Sequence, residues 1–243
     1  MNISYSDWEN YIRKLSKLST IAAEKMQKYV DLYGFEDRTA LIEYAHALIV
    51  KYGSASAELA CQMYDAIAEL ENADVPMAES VYLDDIGDTA KAINGSLLQS
   101  AAGLMLSGVV ARKVKMAGAD TTLKNAIRDK AEFAWIPHGD TCPYCINLAG
   151  EGWRIASIEI LENGHAKHIH AHCDCQYATR MSKKTKYEGY NPDKYSEIIE
   201  NAEGETEKEK TNSLRRIQYA SNKDMINEQK RNAYAARQSI EEE

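Results

Sequence analysis

Apolar side chains recur every three or four residues along most of the first 131 residues, and this spacing is typical of amphipathic helices. The pattern predicts a long helix over residues 6–33 that ends at Gly34, because glycine readily adopts the backbone conformation that terminates a helix. Two further helices are predicted on either side of Gly53, before Asp74-Val75-Pro76 breaks the pattern.

A fourth helical region is predicted to begin at Asp84 or Asp85 and to end at Gly118, and Asp120 then caps a short helix over residues 121–131. From about Phe133 the pattern changes to short apolar segments separated by Gly, Pro and candidate metal ligands. This change favours short strands with one or two helical turns. The apolar segments are residues 133–136, 153–155 and 176–178.

The C-terminal part is highly charged. Residues 183–186 form a basic linker, and Asn191-Pro192 supplies an N-cap followed by proline at the first helical position. Residues 206–209 match a capping box for a last helix that runs towards Ser239. Its few apolar side chains are typical of a solvated surface helix, and the alternatives are that it binds a partner or frays.

These patterns predict a mainly α protein in three parts: a helical domain over residues 1–131, a small α+β zinc-knuckle module over residues 132–182 and a charged helical tail over residues 183–243. A hydrophobic content of 44% is enough for a core. The net charge of −8 argues against nucleic acid as the main partner. No apolar run is long enough for a membrane span, so we expect no membrane partner and synthesis in the cytosol.

Cysteine and histidine are concentrated in one stretch, from Cys142 to Cys175. Four of the five cysteines lie there in two close pairs, which favours a metal site in a reducing compartment over a disulfide framework. Zinc prefers four tetrahedral thiolate or imidazole ligands, and a C-x2-C turn supplies two of them. The candidate ligands are Cys142, Cys145, Cys173 and one of His170 or Cys175.

Because the stretch offers at least four strong ligands and leaves no obvious position for water, we expect a closed structural zinc site rather than a catalytic one. The alternative is that the cysteines are simply buried, as we expect for Cys61 outside the cluster. The remaining histidines of the stretch are expected to lie around the ligands or in solvent; they are His165, His168 and His172. Neither His138 nor Asp140 is convincing as a catalytic base, so no catalytic residue is predicted.

The cluster and its flanks resemble a known family. The residues that carry the resemblance are 133–137, then 139–145, Leu148-Ala149 and Gly152-Trp153, and last the H-x2-C-x-C motif of His170, Cys173 and Cys175. Together they are similar to the zinc-knuckle core of tailed-phage minor head proteins of the phage Mu F-like and SPP1 head-morphogenesis type. The tail resembles the lysine-rich and glutamate-rich ends of prophage members in Firmicutes.

The resemblance implies a virion protein present in few copies and assembled in the host cytoplasm. Such a protein would bind the portal, the major capsid protein or the scaffolding protein at the portal vertex or the inner face of the procapsid. It would assist head morphogenesis or DNA ejection, and its contact with packaged DNA would be incidental. The extra histidines are departures from the family pattern and leave the fourth ligand open.

Two other functions compete with this interpretation. The first is a metal-dependent nuclease of the HNH or treble-clef kind, in which a histidine of residues 165–172 activates water beside a structural zinc. The second is a zinc-bearing regulatory protein that binds nucleic acid through residues 183–186 and Arg215-Arg216.

Overall fold

The protein is mainly helical, as predicted. The computed structural model describes residues 1–81, 85–99, 103–139, 141–163 and 175–241. In chain order its elements are β1 (Asn2–Ile3), α1 (Tyr5–Tyr33), α2 (Arg38–Glu71), α3 (Ile86–Gln99), α4 (Gly103–Arg128), β2 (Glu132–Ile136), α5 (Pro143–Gly150), β3 (Arg154–Ile155), α6 (Ile158–Asn163), β4 (Gln176–Arg180), β5 (Lys186–Tyr187), α7 (Pro192–Glu200) and α8 (Glu207–Glu241). Across these described ranges, none of the helices combines the length and the apolar character that crossing a membrane requires.

Local sequence signals set most helix ends. The hydroxyl of Ser4 accepts a hydrogen bond from the backbone of Asp7 at the start of α1, and Gly34 ends the helix with a φ of +68°. The predicted capping box at the start of α8 is confirmed, because the Thr206 hydroxyl accepts from the Glu209 backbone while the Glu209 carboxylate accepts from that of Thr206.

Two predicted helix boundaries are wrong, because α2 runs without interruption through Gly53 and α4 runs through Gly118 and Asp120. Gly118 lies where α4 crosses its neighbours, and a Cβ added there would be 2.8 Å from the Ser56 hydroxyl and 3.6 Å from a methyl group of Leu15. The glycine therefore allows close helix packing instead of ending the helix. The region predicted to begin at Asp84 or Asp85 corresponds to α3 and part of α4; Asp84 and residues 100–102 lie outside the described residues.

The helices pack around α4, which contacts both α1 and α2 along its length. One core lies between α1, α2, α3 and α4. Its buried members are Ala22, Met26, Val30, Leu41, Ala45, Leu48, Ile49, Ile93, Leu106, Val110 and Val114. A second core joins the C-terminal half of α4 to the strands and α5, so helices and strands share a common interior.

The three-stranded sheet has the order β3-β2-β4, and both pairings are antiparallel. Trp135 lies opposite Tyr177, and both face the second core. Ile136, on the other face of β2, packs with α1 in a third core. Helices therefore cover both faces of this short sheet. The division into three domains stays a prediction.

A two-stranded parallel sheet ties the N-terminus to the C-terminal part. Asn2 of β1 pairs with Lys186 of β5, and Ile3 pairs with Tyr187. The Tyr187 ring is buried edge-on against Trp8, and its hydroxyl donates to the Thr179 carbonyl at 2.9 Å. The segment predicted as a basic linker is thus a turn that leads into β5 and is held against the rest of the fold.

Candidate metal site

Two of the predicted ligands lie together at the start of α5. Cys142 is the N-cap residue in an extended conformation, Pro143 takes the first helical position, and Cys145 follows in the first turn. Gly139, with a φ of +64°, makes the turn that precedes them. The two Sγ atoms are 3.5 Å apart, and neither cysteine is in a disulfide bond.

This geometry fits zinc. Two sulfurs each about 2.3 Å from a tetrahedral zinc ion are about 3.8 Å apart, which is close to the observed separation. A zinc-bound sulfur carries negative charge, and the backbone N–H groups and the dipole at the start of a helix stabilise negative charge. Cys142 and Cys145 could therefore act as one half of a zinc site without rearrangement of the backbone.

The pair lies at the edge of the second core. Cys145 is 2% exposed, Cys142 is half-buried, and both pack with the aromatic rings of that core. Burial, together with the nearby Cys145 and Glu151, raises the pKa of Tyr144 to about 12, so this phenol stays neutral at physiological pH. The surroundings of the pair are apolar and largely screened from water.

The third described candidate, Cys175, is 1% exposed and belongs to the same core. Burial is the main cause of the raised pKa of Tyr195 on α7, and the charge of Cys175 adds to it. Among the described residues, however, no three His, Cys, Asp or Glu side chains form a group that could hold a metal ion. The cysteine pair is the part of the predicted set that the described structure brings together.

The remaining candidates lie outside the described residues. These are the predicted ligands His170 and Cys173, the histidines His165, His168 and His172, and Asp140. The complete ligand set and the nuclease interpretation, which depends on the same histidine-rich stretch, therefore stay predictions. His138 is described; its Nδ1 is buried, and no atom of the described ranges forms a hydrogen bond with it.

Sequence reasoning missed the aromatic side chains that pack around the cysteines. Tyr177 packs edge-on against both Phe133 and Trp135, with ring centroids 5.5 and 4.6 Å away. The available signal was the alternation in β2, where large aromatic side chains occupy every second position. That alternation indicates that one face of the strand lies against a packed core.

A family model described as VG15 protein matches residues 2–202 of the chain. The match begins in β1, spans all the helices and strands up to α7, and ends before α8. No curated protein and no solved structure matches the chain.

Proposed function

Since the chain belongs to the VG15 protein family, a family of phage gene products, we propose that it is a minor head protein that binds the portal or the inner face of the procapsid. In this role it assists head morphogenesis or DNA ejection. Family membership supports a phage structural role in the virion. We propose in addition that the protein lies at the portal vertex or the inner face of the procapsid and that the portal or a procapsid protein is its partner.

The observation that carries the proposal is the placement of the cysteine pair. Both sulfurs lie at the edge of a core that α4, β2, β4 and α5 build together. A metal held there would tie α5 to the sheet, and it would stabilise a module whose strands are only two to five residues long. This position suits a site that supports a binding surface.

We infer that the metal is a structural zinc ion bound by Cys142, Cys145, Cys173 and one of His170 or Cys175. The thiol separation and the helix start support the first two ligands. Zinc would contribute folding free energy, because it would link two segments of the chain that lie about 30 residues apart in the sequence.

Metal analysis of the purified chain tests this inference. We expect one zinc ion per chain, lost in Cys142→Ser and retained in the matched control Cys61→Ala, which removes a buried thiol from α2. Cys175→Ser and His170→Ala identify the fourth ligand, since only one of them should lower the zinc content. A wild-type chain without zinc, or a Cys142→Ser variant with full zinc content, would contradict the inference.

Binding experiments test the role in the head. The full chain is mixed in turn with the purified portal, major capsid and scaffolding proteins of the same phage, and each mixture is analysed by sedimentation. We expect a complex with the portal or with a procapsid component, and we expect the protein in procapsids or mature heads by quantitative mass spectrometry. Its absence from both particles would refute the proposal.

A further inference from the structure

A groove of about 710 Å³ lies between the end of α1 and the start of α2. Its lining consists of three tyrosines, two lysines, one leucine and one aspartate, together with a glycine and an alanine. We call it the tyrosine groove. Because α1 is 29 residues long and begins beside β1, the groove lies roughly 40 Å from the sheet that β1 and β5 form.

One wall of the tyrosine groove is a group of packed aromatic rings. Tyr29 of α1 stacks on Tyr44 of α2, with ring centroids 4.3 Å apart and ring planes 19° apart. Tyr33 is tilted against Tyr29 at a centroid distance of 5.0 Å. Tyr29 and Tyr44 also pack against the core between α1, α2, α3 and α4. The wall is therefore preformed, and a ligand would not have to order it on binding.

Two large apolar side chains in the last turn of α1 are left open to solvent. Leu32 is 63% exposed and Tyr33 is 70% exposed, and both line the groove. Exposed apolar surface that is contiguous with a concave wall is typical of a protein interaction site. Tyrosine is also enriched among the residues that contribute most to the affinity of such sites.

The positive charge of the lining comes from Lys25 and Lys28. Both side chains are exposed, and their spacing of three residues places them on the same side of α1. Among the residues that the structure describes, neither lysine forms an ion pair. They therefore offer two cations beside an apolar wall.

The acidic side chains at this corner already have hydrogen-bond donors. Asp37, which is the carboxylate of the lining, caps the start of α2 by accepting from the Ala40 backbone N–H at 3.1 Å. Asp31 and Glu36 lie outside the lining and accept from a glutamine side chain and a backbone N–H. The lining thus has two positive charges against one negative charge, and this balance favours a ligand that carries carboxylates next to an apolar side chain.

We propose that the tyrosine groove binds an acidic segment of a procapsid protein. An apolar side chain of that segment lies against Leu32 and the tyrosine wall, and its carboxylates pair with Lys25 and Lys28. The inference rests on the proposed function, because it names the surface through which the protein contacts its partner in the head. The lysines orient the segment, while the apolar contact supplies most of the affinity.

Sedimentation with empty procapsids of the same phage, assembled without this protein, tests the proposal. The labelled full chain is added at increasing concentration, and the bound fraction gives a Kd. Leu32→Ser should weaken binding about tenfold, because it removes apolar area that the partner covers. Lys25→Gln/Lys28→Gln should weaken binding about fivefold, as expected for the loss of two exposed ion pairs. Its binding should also depend less on salt than that of the wild type.

The same chain offers matched controls for both changes. Lys14→Gln/Lys17→Gln makes the same change in charge, at the same spacing and at exposed positions of the same helix. Leu98→Ser replaces a leucine of α3 that is 88% exposed. We expect both controls to bind procapsids as the wild type does.

The possible failures are distinguishable. If the wild type does not bind procapsids, both this inference and the proposed function fail. If the wild type binds and the groove variants bind equally well, or the controls lose as much affinity as the groove variants, only the groove is wrong. An effect of Leu32→Ser without an effect of the lysine change would overturn the acidic character of the partner. A dimer of the wild type in analytical ultracentrifugation that Leu32→Ser abolishes would instead assign the groove to a second copy of this chain.

Discussion

Replacing Gly118 with alanine tests the closest contact between the helices that form the core. At this position α4 passes α2 and α1, and a Cβ would be 2.8 Å from the Ser56 hydroxyl and 3.3 Å from the Ser56 carbonyl oxygen. Gly95 on α3 offers a matched control, since a Cβ there has no neighbouring atom within 4 Å. Both glycines lie in the interior of a helix, so the two glycine-to-alanine variants differ only in the atoms that surround the new methyl group.

The two variants should differ in stability, and only Gly95→Ala should be more stable than the wild type. Alanine in a helix interior is more favourable than glycine by about 1 kcal/mol, and Gly95→Ala should gain this amount. At Gly118 the same gain is opposed by overpacking, which typically costs about 1–3 kcal/mol. We therefore expect the free energy of unfolding of Gly118→Ala to be about 1–3 kcal/mol below that of Gly95→Ala.

Urea unfolding followed by circular dichroism measures both values. Ser56→Ala extends the test, because it removes the closest atom, and because the buried Ser56 hydroxyl has no hydrogen-bond partner within the described ranges. The double variant Ser56→Ala/Gly118→Ala should regain about 1 kcal/mol relative to the sum of the single changes.

Equal stabilisation by Gly118→Ala and Gly95→Ala would refute the reasoning, since it would mean that α4 does not approach α2 as closely as described. A double variant whose stability is the sum of the two single changes would also contradict it. In that case Ser56 would not be the group that alanine at position 118 meets.

Two other features also lead to predictions. Burial acts to raise the pKa of Asp129, but hydrogen bonds from Arg128 and Tyr64 outweigh this effect and lower that pKa. The ionised carboxylate therefore stabilises the fold at pH values above its ordinary pKa of about 4. This stabilisation is lost as the pH falls through the lowered pKa. Urea titrations between about pH 5 and pH 3 should therefore show a shallower loss of stability for Asp129→Asn than for the wild type, and parallel curves would contradict this. Removal of residues 219–243 should change the free energy of unfolding by less than about 0.5 kcal/mol, because the described side chains from Arg215 onward are exposed or half-exposed. Removal of residues 204–243 should lower it further, since buried Thr211 and Ser213 are lost, and equal effects of the two truncations would show that α8 does not pack through its first turns.

Much of the fold could be predicted from local signals. The end of α1 at Gly34 and the N-cap and proline at Asn191 and Pro192 are confirmed, because helix ends depend on residues within one turn of each other. The errors at Gly53 and Gly118 have one cause. A glycine inside a helical pattern either ends the helix or lets another helix approach, and only the position of the neighbouring helix separates the two.

The candidate metal site also has a part that the sequence predicted and a part that it could not predict. The C-x2-C spacing identified Cys142 and Cys145, whose sulfurs meet because one turn of helix brings residues three apart to the same side. The aromatic core around them could not be predicted from spacing, since it joins Tyr64 of α2 to Trp135 and Tyr177 of the sheet. The remaining candidate ligands stay predictions from the sequence.

By itself, the sequence determined the helical character, most helix ends, the short strands and the cysteine pair, because each depends on interactions between residues a few positions apart. The tertiary structure alone decided that Gly118 is a packing position, that helices cover both faces of β2, and that Asn2 near the N-terminus pairs with Lys186. These features depend on contacts between residues far apart in the chain, and no local pattern encodes which distant segment provides the partner.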